Sequence, residues 1–376
     1  MKQRQPGSLW HTFHRWCGAV VSLYVICIAF TGIVLQYKDE LLAWQHGDLS
    51  GMVSLSPEAI EDAVRHFERR FAPAVPAYVR LPTEDAPYYH LYLDDGHQAL
   101  VSARDLRALE YGGQTRSLLA AIEALHTHLL IPEGGKAVVG IGGILMFGLL
   151  VSALYTWLPF ARHTRVAHLQ LRQLSRPHLN RFHRITGIVV LPLAFLTVIT
   201  GIAVAFGDTS GTVLRGLLGG EPYPTRPRVE SCTGTPASLA TQIRTAEQEV
   251  PTGRLSLLIR PLDCSESAGF RFRRPGEWHP DGTSFVYLDP GSLNTLVRFS
   301  ADSLGTGTGV NKRVFPVHAG TIAEPVLGLL LSLGGVILIA LSMTGLAAFL
   351  QWVSLRRRQL AKPDRRSTER RRRQGA

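Results

Sequence analysis

The chain has 376 residues, 45% of them hydrophobic, and a formal net charge of +11. That length admits two or three domains of roughly 100–200 residues each. Four long runs without a charged side chain exclude an ordinary soluble protein, and basic residues clustered beside those runs point to anionic headgroups rather than nucleic acid.

In chain order, residues 1–15 carry Lys2, Arg4 and Arg15 and no acid. The first charge-free run, Trp16–Tyr37, is long enough to cross a hydrocarbon core, which needs about 20 helical residues. It lacks a small-residue cleavage site and reads as an uncleaved anchor. Residues 38–136 hold 9 basic and 15 acidic residues. Within them the pattern predicts a helix over Pro57–Phe71 behind the Ser56 cap. Strands follow at Ala77–Leu81, Tyr88–Leu93 and His97–Ala103, then a helix over Ser117–His128. The second run, Ala137–Ala161, is followed by a loop, 162–184, with six arginines and no acid. The third run is Ile185–Gly207.

Residues 208–324 balance 12 basic against 12 acidic residues. Here the pattern predicts a helix over Pro236–Glu249 and strands over Arg254–Arg260, Gly269–Arg274, Thr283–Leu288 and Thr295–Phe299. Gly305–Gly309 reads as a flexible stretch. The fourth run, Pro325–Leu355, leads into a basic tail, 356–376. The excess of arginine in the middle loop and at the termini puts all three in the cytoplasm, with 38–136 and 208–324 outside. The expected fold is thus a membrane α-helical plus α+β protein: four spans in two repeats, each repeat with an outward helix-plus-sheet insertion. In an oxidising compartment, Cys232 and Cys264 of the second insertion are candidates for a disulfide. Closing about 30 residues, it is worth roughly 3–4 kcal/mol.

The repeats are marked by histidine. His14-Arg15-Trp16-Cys17-Gly18 opens a run ending in Thr31-Gly32, and His183-Arg184-Ile185-Thr186-Gly187 opens one ending in Thr200-Gly201; in both, Thr follows His by 17 residues. His126 precedes Ser152-Ala153 by 26 residues, as His318 precedes Thr344-Gly345. Neutral imidazoles ligate haem iron, and haem's apolar faces suit a slot between helices. Two pairs follow, His14 with His183 and His126 with His318, for two bis-histidine b-type haems. His11, His128 and His178 are the alternates within those clusters. Arg15 and Arg184 are placed to meet propionates. His46, His66, His90, His97 and His279 read as surface or structural.

The duplicated HRxxG opening, the histidines ahead of the second and fourth runs, and the helix-plus-sheet insertions resemble the PepSY-associated transmembrane family over roughly residues 8–356. Within it, the layout is similar to the FoxB-type inner-membrane siderophore reductases, which handle ferrioxamine. The resemblance implies an oxidoreductase of the bacterial inner membrane that passes electrons to a periplasmic ferric siderophore, a hydroxamate such as ferrioxamine among the candidates, and releases Fe(II) for uptake. No GxGxxG follows a strand, so a separate electron donor is expected; no Cys-x-x-Cys-His or HExxH is present for covalent haem or zinc. A non-redox module of the PepSY type, binding or inhibiting a peptidase, and a haem reductase for another acceptor are the competing expectations.

Overall fold

The computed structural model describes residues 7–47, 49, 55–158, 176–230, 235–322 and 325–360. They fall into two compact units. One lies within Met1–Phe30, Ile141–Ile199 and Leu333–Ala376, the other within Thr31–Gly140 and Thr200–Ser332.

Four helices carry the apolar runs: α1 (Gly7–Gln36), α5 (Gly135–Trp157), α6 (Arg176–Ala205) and α10 (Val326–Leu360). Each holds a segment long and apolar enough to cross a membrane: Leu9–Gln36, Gly135–Trp157, Pro177–Ala205 and Val326–Arg358. Most begin before the charge-free runs do. The reason is that an apolar run marks only the hydrocarbon depth, whereas the helix continues into the headgroup layer to keep its backbone hydrogen bonds. His14 and His183 therefore sit inside helices rather than ahead of them.

In the first unit, Val21, Val25 and Leu149 pack with Met146 and Leu338, and Leu150, Leu191 and Ala194 pack with Ile188 and Phe195. The opposite faces present large apolar side chains outward, Val20, Leu23 and Val189 among them. A lipid environment makes that exposure favourable, because acyl chains solvate such groups as well as a protein core does.

The second unit is built on one eight-stranded antiparallel sheet. Its strands are β1 (Pro76–Arg80), β2 (Tyr88–Leu93), β3 (Gln98–Ser102), β4 (Ala108–Gly112), β5 (Arg254–Ile259), β6 (Ala268–Arg273), β7 (Ser284–Leu288) and β8 (Thr295–Phe299), in the order β4-β3-β2-β1-β5-β6-β7-β8. Two four-strand meanders thus join edge to edge, β1 to β5, through Tyr78↔Ile259, Val79↔Leu258 and Arg80↔Leu257. This differs from the two separate insertions read from the sequence. Pairing β1 with β5 satisfies two strand edges that would otherwise stand open. Strand β4 was missed because Ala108–Gly112 is short and only partly buried, with no strong apolar alternation.

Helices α3 (Pro57–Phe71) and α8 (Leu239–Glu249) lie on one face of the sheet. Ser56 caps α3 through the Ala59 N–H, and Ser238 caps α8 through the Thr241 N–H, which sets the α8 start three residues later than Pro236. Ile60, Val64 and Phe67 of α3 and Ile243 and Ala246 of α8 meet Val79, Leu91, Val101, Leu258, Phe270, Phe272 and Val286. Burying each large side chain contributes about 1.5–3 kcal/mol.

On the other face, α2 (Lys38–His46) and α4 (Leu118–His128) cover the β1–β4 half. Leu42, Leu49, Tyr88, Leu100 and Leu119 form a closed apolar cluster there. The β5–β8 half has two further helices, α7 (Gly207–Leu218) and α9 (Gly305–His318). The stretch Gly305–Gly309, expected to be flexible, is the first turn and a half of α9. Its glycines permit a close approach: the Gly307 N–H donates to the Gly219 carbonyl, and a Cβ at 307 would sit 2.4 Å from the Leu214 carbonyl. Cys264 is disulfide-bonded; its expected partner, Cys232, lies outside the described residues.

Candidate functional site

Both proposed histidine pairs come together, each within one unit. In the first unit the ring centres of His14 and His183 are 6.2 Å apart. In the second, those of His126 and His318 are 6.3 Å apart.

Each imidazole is held at Nδ1 by a neighbouring helix. His14 Nδ1 lies 2.8 Å from Ser152 Oγ, and that hydroxyl itself donates to the Leu149 carbonyl at 2.7 Å. The hydroxyl proton is thereby used, so Nδ1–H of His14 is the donor. His183 Nδ1 donates to the Leu341 carbonyl at 3.0 Å, and the Thr344 hydroxyl reaches the same carbonyl at 3.1 Å. A carbonyl cannot donate, so the Nδ1–H tautomer is set here too. In the second unit, His126 Nδ1 stands 3.0 Å from Thr31 Oγ1 and His318 Nδ1 stands 3.1 Å from Thr200 Oγ1. Thr31 and Ser152 are fully buried.

The glycine after each of Thr31, Thr200 and Thr344 makes room for a ring. A Cβ on Gly32 would meet His126 Cε1 at 3.1 Å, one on Gly201 would meet His318 Cε1 at 3.0 Å, and one on Gly345 would meet His183 Cε1 at 3.1 Å. The repeated Thr-Gly dipeptides, which the sequence offered only as marks of repetition, are therefore cradles for histidines on other helices. The helix that gives His14 to one pair also gives Thr31 to the other, and α6 does the same with His183 and Thr200.

Beside His14 and His183 lies a cavity of about 340 Å³, within the range of small-molecule and cofactor sites (about 300–1,000 Å³). Apolar side chains of all four long helices line it, among them Val21, Leu150, Leu191 and Leu341, and so do the two glycines of the HRxxG segments, Gly18 and Gly187. Arg15 and Arg184 also reach it. The Arg15 guanidinium stacks 4.5 Å from the centre of the Trp352 ring. The Trp157 indole N–H is buried against the cavity with no acceptor among the described residues.

The alternates divide. His11 lines this cavity; His178 does not. His128 turns away from the second pair: its Nδ1 is 2.8 Å from Thr127 Oγ1 and its Nε2 is 3.0 Å from Gln114 Oε1. The remaining described histidines are mostly structural. His90 is buried 3.0 Å from Gln98 Oε1, His97 pairs with Asp95, His46 stands 4.0 Å from Glu110, and the His66 ring meets Phe67. His279 is the exception, because it lines a second cavity described below. Among the described residues, no group of three or more His, Cys, Asp or Glu side chains is arranged to hold a metal ion. Two imidazoles can ligate one metal whose other positions a non-protein group fills.

The separation of the rings fits such a group. Two imidazole-to-metal bonds of about 2 Å each, plus about 1 Å from nitrogen to ring centre on each side, span roughly 6 Å. The observed 6.2 and 6.3 Å match that span.

A family model describing the PepSY-associated TM region matches residues 11–351, and the chain belongs to that family. With its four long apolar helices, it is a multi-pass membrane protein. Among curated proteins, none matches it.

Proposed function

We propose that the chain is a dihaem b-type oxidoreductase of the bacterial inner membrane that passes electrons to a periplasmic ferric siderophore. What carries the reading is the recurrence of one geometry: two histidine pairs with ring centres 6.2 and 6.3 Å apart, every Nδ1 engaged by a neighbouring helix. With Nδ1 engaged, Nε2 is the nitrogen that takes iron, and the hydrogen bond raises its basicity. His14 and His183 hold one haem and His126 and His318 the other. Arg15 and Arg184 meet propionates of the first, and the apolar helix faces exclude water from its ring. The matched spacings support descent of the two halves from one duplicated unit.

Haem supplies a one-electron couple at each site. An external donor gives up one electron, and one chelated Fe(III) becomes Fe(II). Hard-oxygen chelators hold Fe(II) less tightly, so the metal is released and the chelator survives. The arginine-rich loop and termini support a cytoplasmic placement for those segments, and hence a periplasmic one for the sheet. The first test is quantitation of haem on protein purified in detergent. Two non-covalent haems b per chain, reoxidised by a ferric chelate with Fe(II) captured in a colorimetric trap, are the expected result. Colourless protein, or haem bound covalently, overturns the proposal in favour of a non-redox binding module.

A further inference from the structure

The two halves of the sheet differ on the face opposite α3 and α8. Under β1–β4 the space is closed by Leu42, Leu49, Leu100 and Leu119. In the other half, between the β6–β7 connection, the segment after β8 and α9, there is a cavity of about 260 Å³. Its walls include Arg274, Trp278 and His279 from the segment after β6, and Lys312 and Arg313 from α9.

The corresponding helices make the contrast sharp. α4 contains His126 and α9 ends at His318. Six and five residues ahead of His126 stand Ala120 and Ala121; six and five ahead of His318 stand Lys312 and Arg313. Alanine is therefore enough for packing in one copy of this helix, and Ala120 is buried there. The other copy carries two long cations beside open space.

The acids of the cavity wall already have partners within it. Asp302 pairs with Arg274. Glu277 accepts from the backbone N–H groups of Arg274 and Thr283, at 3.0 and 3.1 Å, and from the Thr283 hydroxyl at 2.7 Å. Lys312 and Arg313 meet rings instead: Lys312 Nζ lies 3.4 Å from the Tyr223 ring centre, and the Arg313 guanidinium 5.2 Å from that of Trp278. Burial, together with Arg271 and Arg215 nearby, lowers the Lys312 ammonium to about 8. A part-buried cation among like charges is costly without an anion.

We propose that this cavity binds the carboxylates of a compact anionic ferric chelate of the citrate type, and so holds the electron acceptor on the helix that carries His318. The proposal rests on the ferric-reductase reading and narrows its acceptor. Lys312 lies about 9 Å of helix axis before His318, and the His279 ring packs 5.7 Å from Phe315, three residues before it. A volume of about 260 Å³, below the roughly 300 Å³ at which ordinary ligand pockets begin, suits only a small polycarboxylate chelate. A ferric hydroxamate bearing a free ammonium would meet repulsion there.

The test is calorimetric titration of the full chain in detergent with Ga(III)–citrate, which mimics the ferric chelate but accepts no electron. Saturable binding is expected. It should weaken at least tenfold in the Lys312→Gln/Arg313→Gln double variant and persist in Lys312→Arg/Arg313→Lys, which keeps both charges. Ga(III) bound by cationic desferrioxamine B should bind at least tenfold more weakly. No binding of Ga(III)–citrate, equal binding by the glutamine variant, equal affinity for the cationic chelate, or full displacement by equimolar inorganic phosphate each overturns the proposal. Because the readout needs no haem, the two readings fail separately. Colourless protein that binds Ga(III)–citrate refutes the reductase and keeps the site; red protein that does not bind it does the reverse.

Discussion

The two histidine pairs share a ring separation but differ in what meets Nδ1. Three of the imidazoles meet a side-chain hydroxyl, that of Ser152, Thr31 or Thr200. His183 meets the backbone carbonyl of Leu341, which no side-chain substitution removes. A carbonyl only accepts, so the Nδ1–H tautomer of His183 is set by the backbone. The His14–His183 pair is thus held partly by main chain, and the His126–His318 pair by two threonine hydroxyls that substitution can reach.

The largest effect tests whether the pairs are separate sites. His14→Ala or His183→Ala should remove one of two haems and leave the other's spectrum intact; His126→Ala or His318→Ala should remove the other. Haemochrome quantitation of each variant checks this. Loss of both haems from any single variant would merge the pairs into one cooperative unit.

Acid should next separate them. Burial first, then the positive charge of Lys38 and of Arg116, pulls the His90 imidazole from 6.5 down to about 4. Unfolded, the same group takes a proton near 6.5. The stability owed to neutral His90 is therefore complete above 6.5 and is lost as pH falls from there toward 4. His279, lowered to about 3 by burial and by Arg271, acts in the same direction. Both lie in the unit that holds His126 and His318. Thermal melts followed by haem absorbance at pH 7 and pH 5 should show that site destabilised first, and His90→Gln should reduce the difference. Equal acid loss at both sites would contradict this.

Steric change is smaller. Gly32→Ala, Gly201→Ala and Gly345→Ala each place a methyl group about 3 Å from an imidazole carbon, so the ring must shift by a few tenths of an ångström. Haem should still bind, with an altered low-spin electron paramagnetic resonance spectrum at the affected site. An unchanged spectrum would show that the glycines do not position the rings.

The smallest effect concerns the hydroxyls. Thr31→Val or Thr200→Val removes the hydroxyl that meets the imidazole; a hydrogen bond of about 1 kcal/mol corresponds to about 40 mV for a one-electron couple. Ser152→Ala removes the corresponding hydroxyl from His14 and should move its own site by a similar amount. Redox titration of the three variants checks this, and potentials left unchanged would show that the hydroxyls do not tune the sites.

Much of this was legible in the chain. A span is a local property: about 20 apolar residues announce a membrane helix whatever surrounds them. Caps are local too: Ser56 marked the start of α3, whereas Ser117, read as the first residue of α4, is its cap. The histidine pairs could be matched because repetition carries spacing, and spacing survives without coordinates. Strand β4 and helix α9 were harder. Partial burial hides the alternation of the first, and glycine content reads as flexibility in the second, where it serves the close contact with the Gly219 carbonyl.

By itself, then, the sequence determined the four apolar helices, the charge asymmetry around them and the candidate ligands, all of which depend on nearest neighbours or on counting. Only the tertiary structure decided that two meanders share one sheet, that His128 turns to Gln114, and that each Thr-Gly serves a histidine on another helix. The contacts of histidine with hydroxyl join residues 95, 118 and 138 positions apart. They are selected by packing and by the need of each imidazole nitrogen for a partner, and neither leaves a mark on the residues next in line.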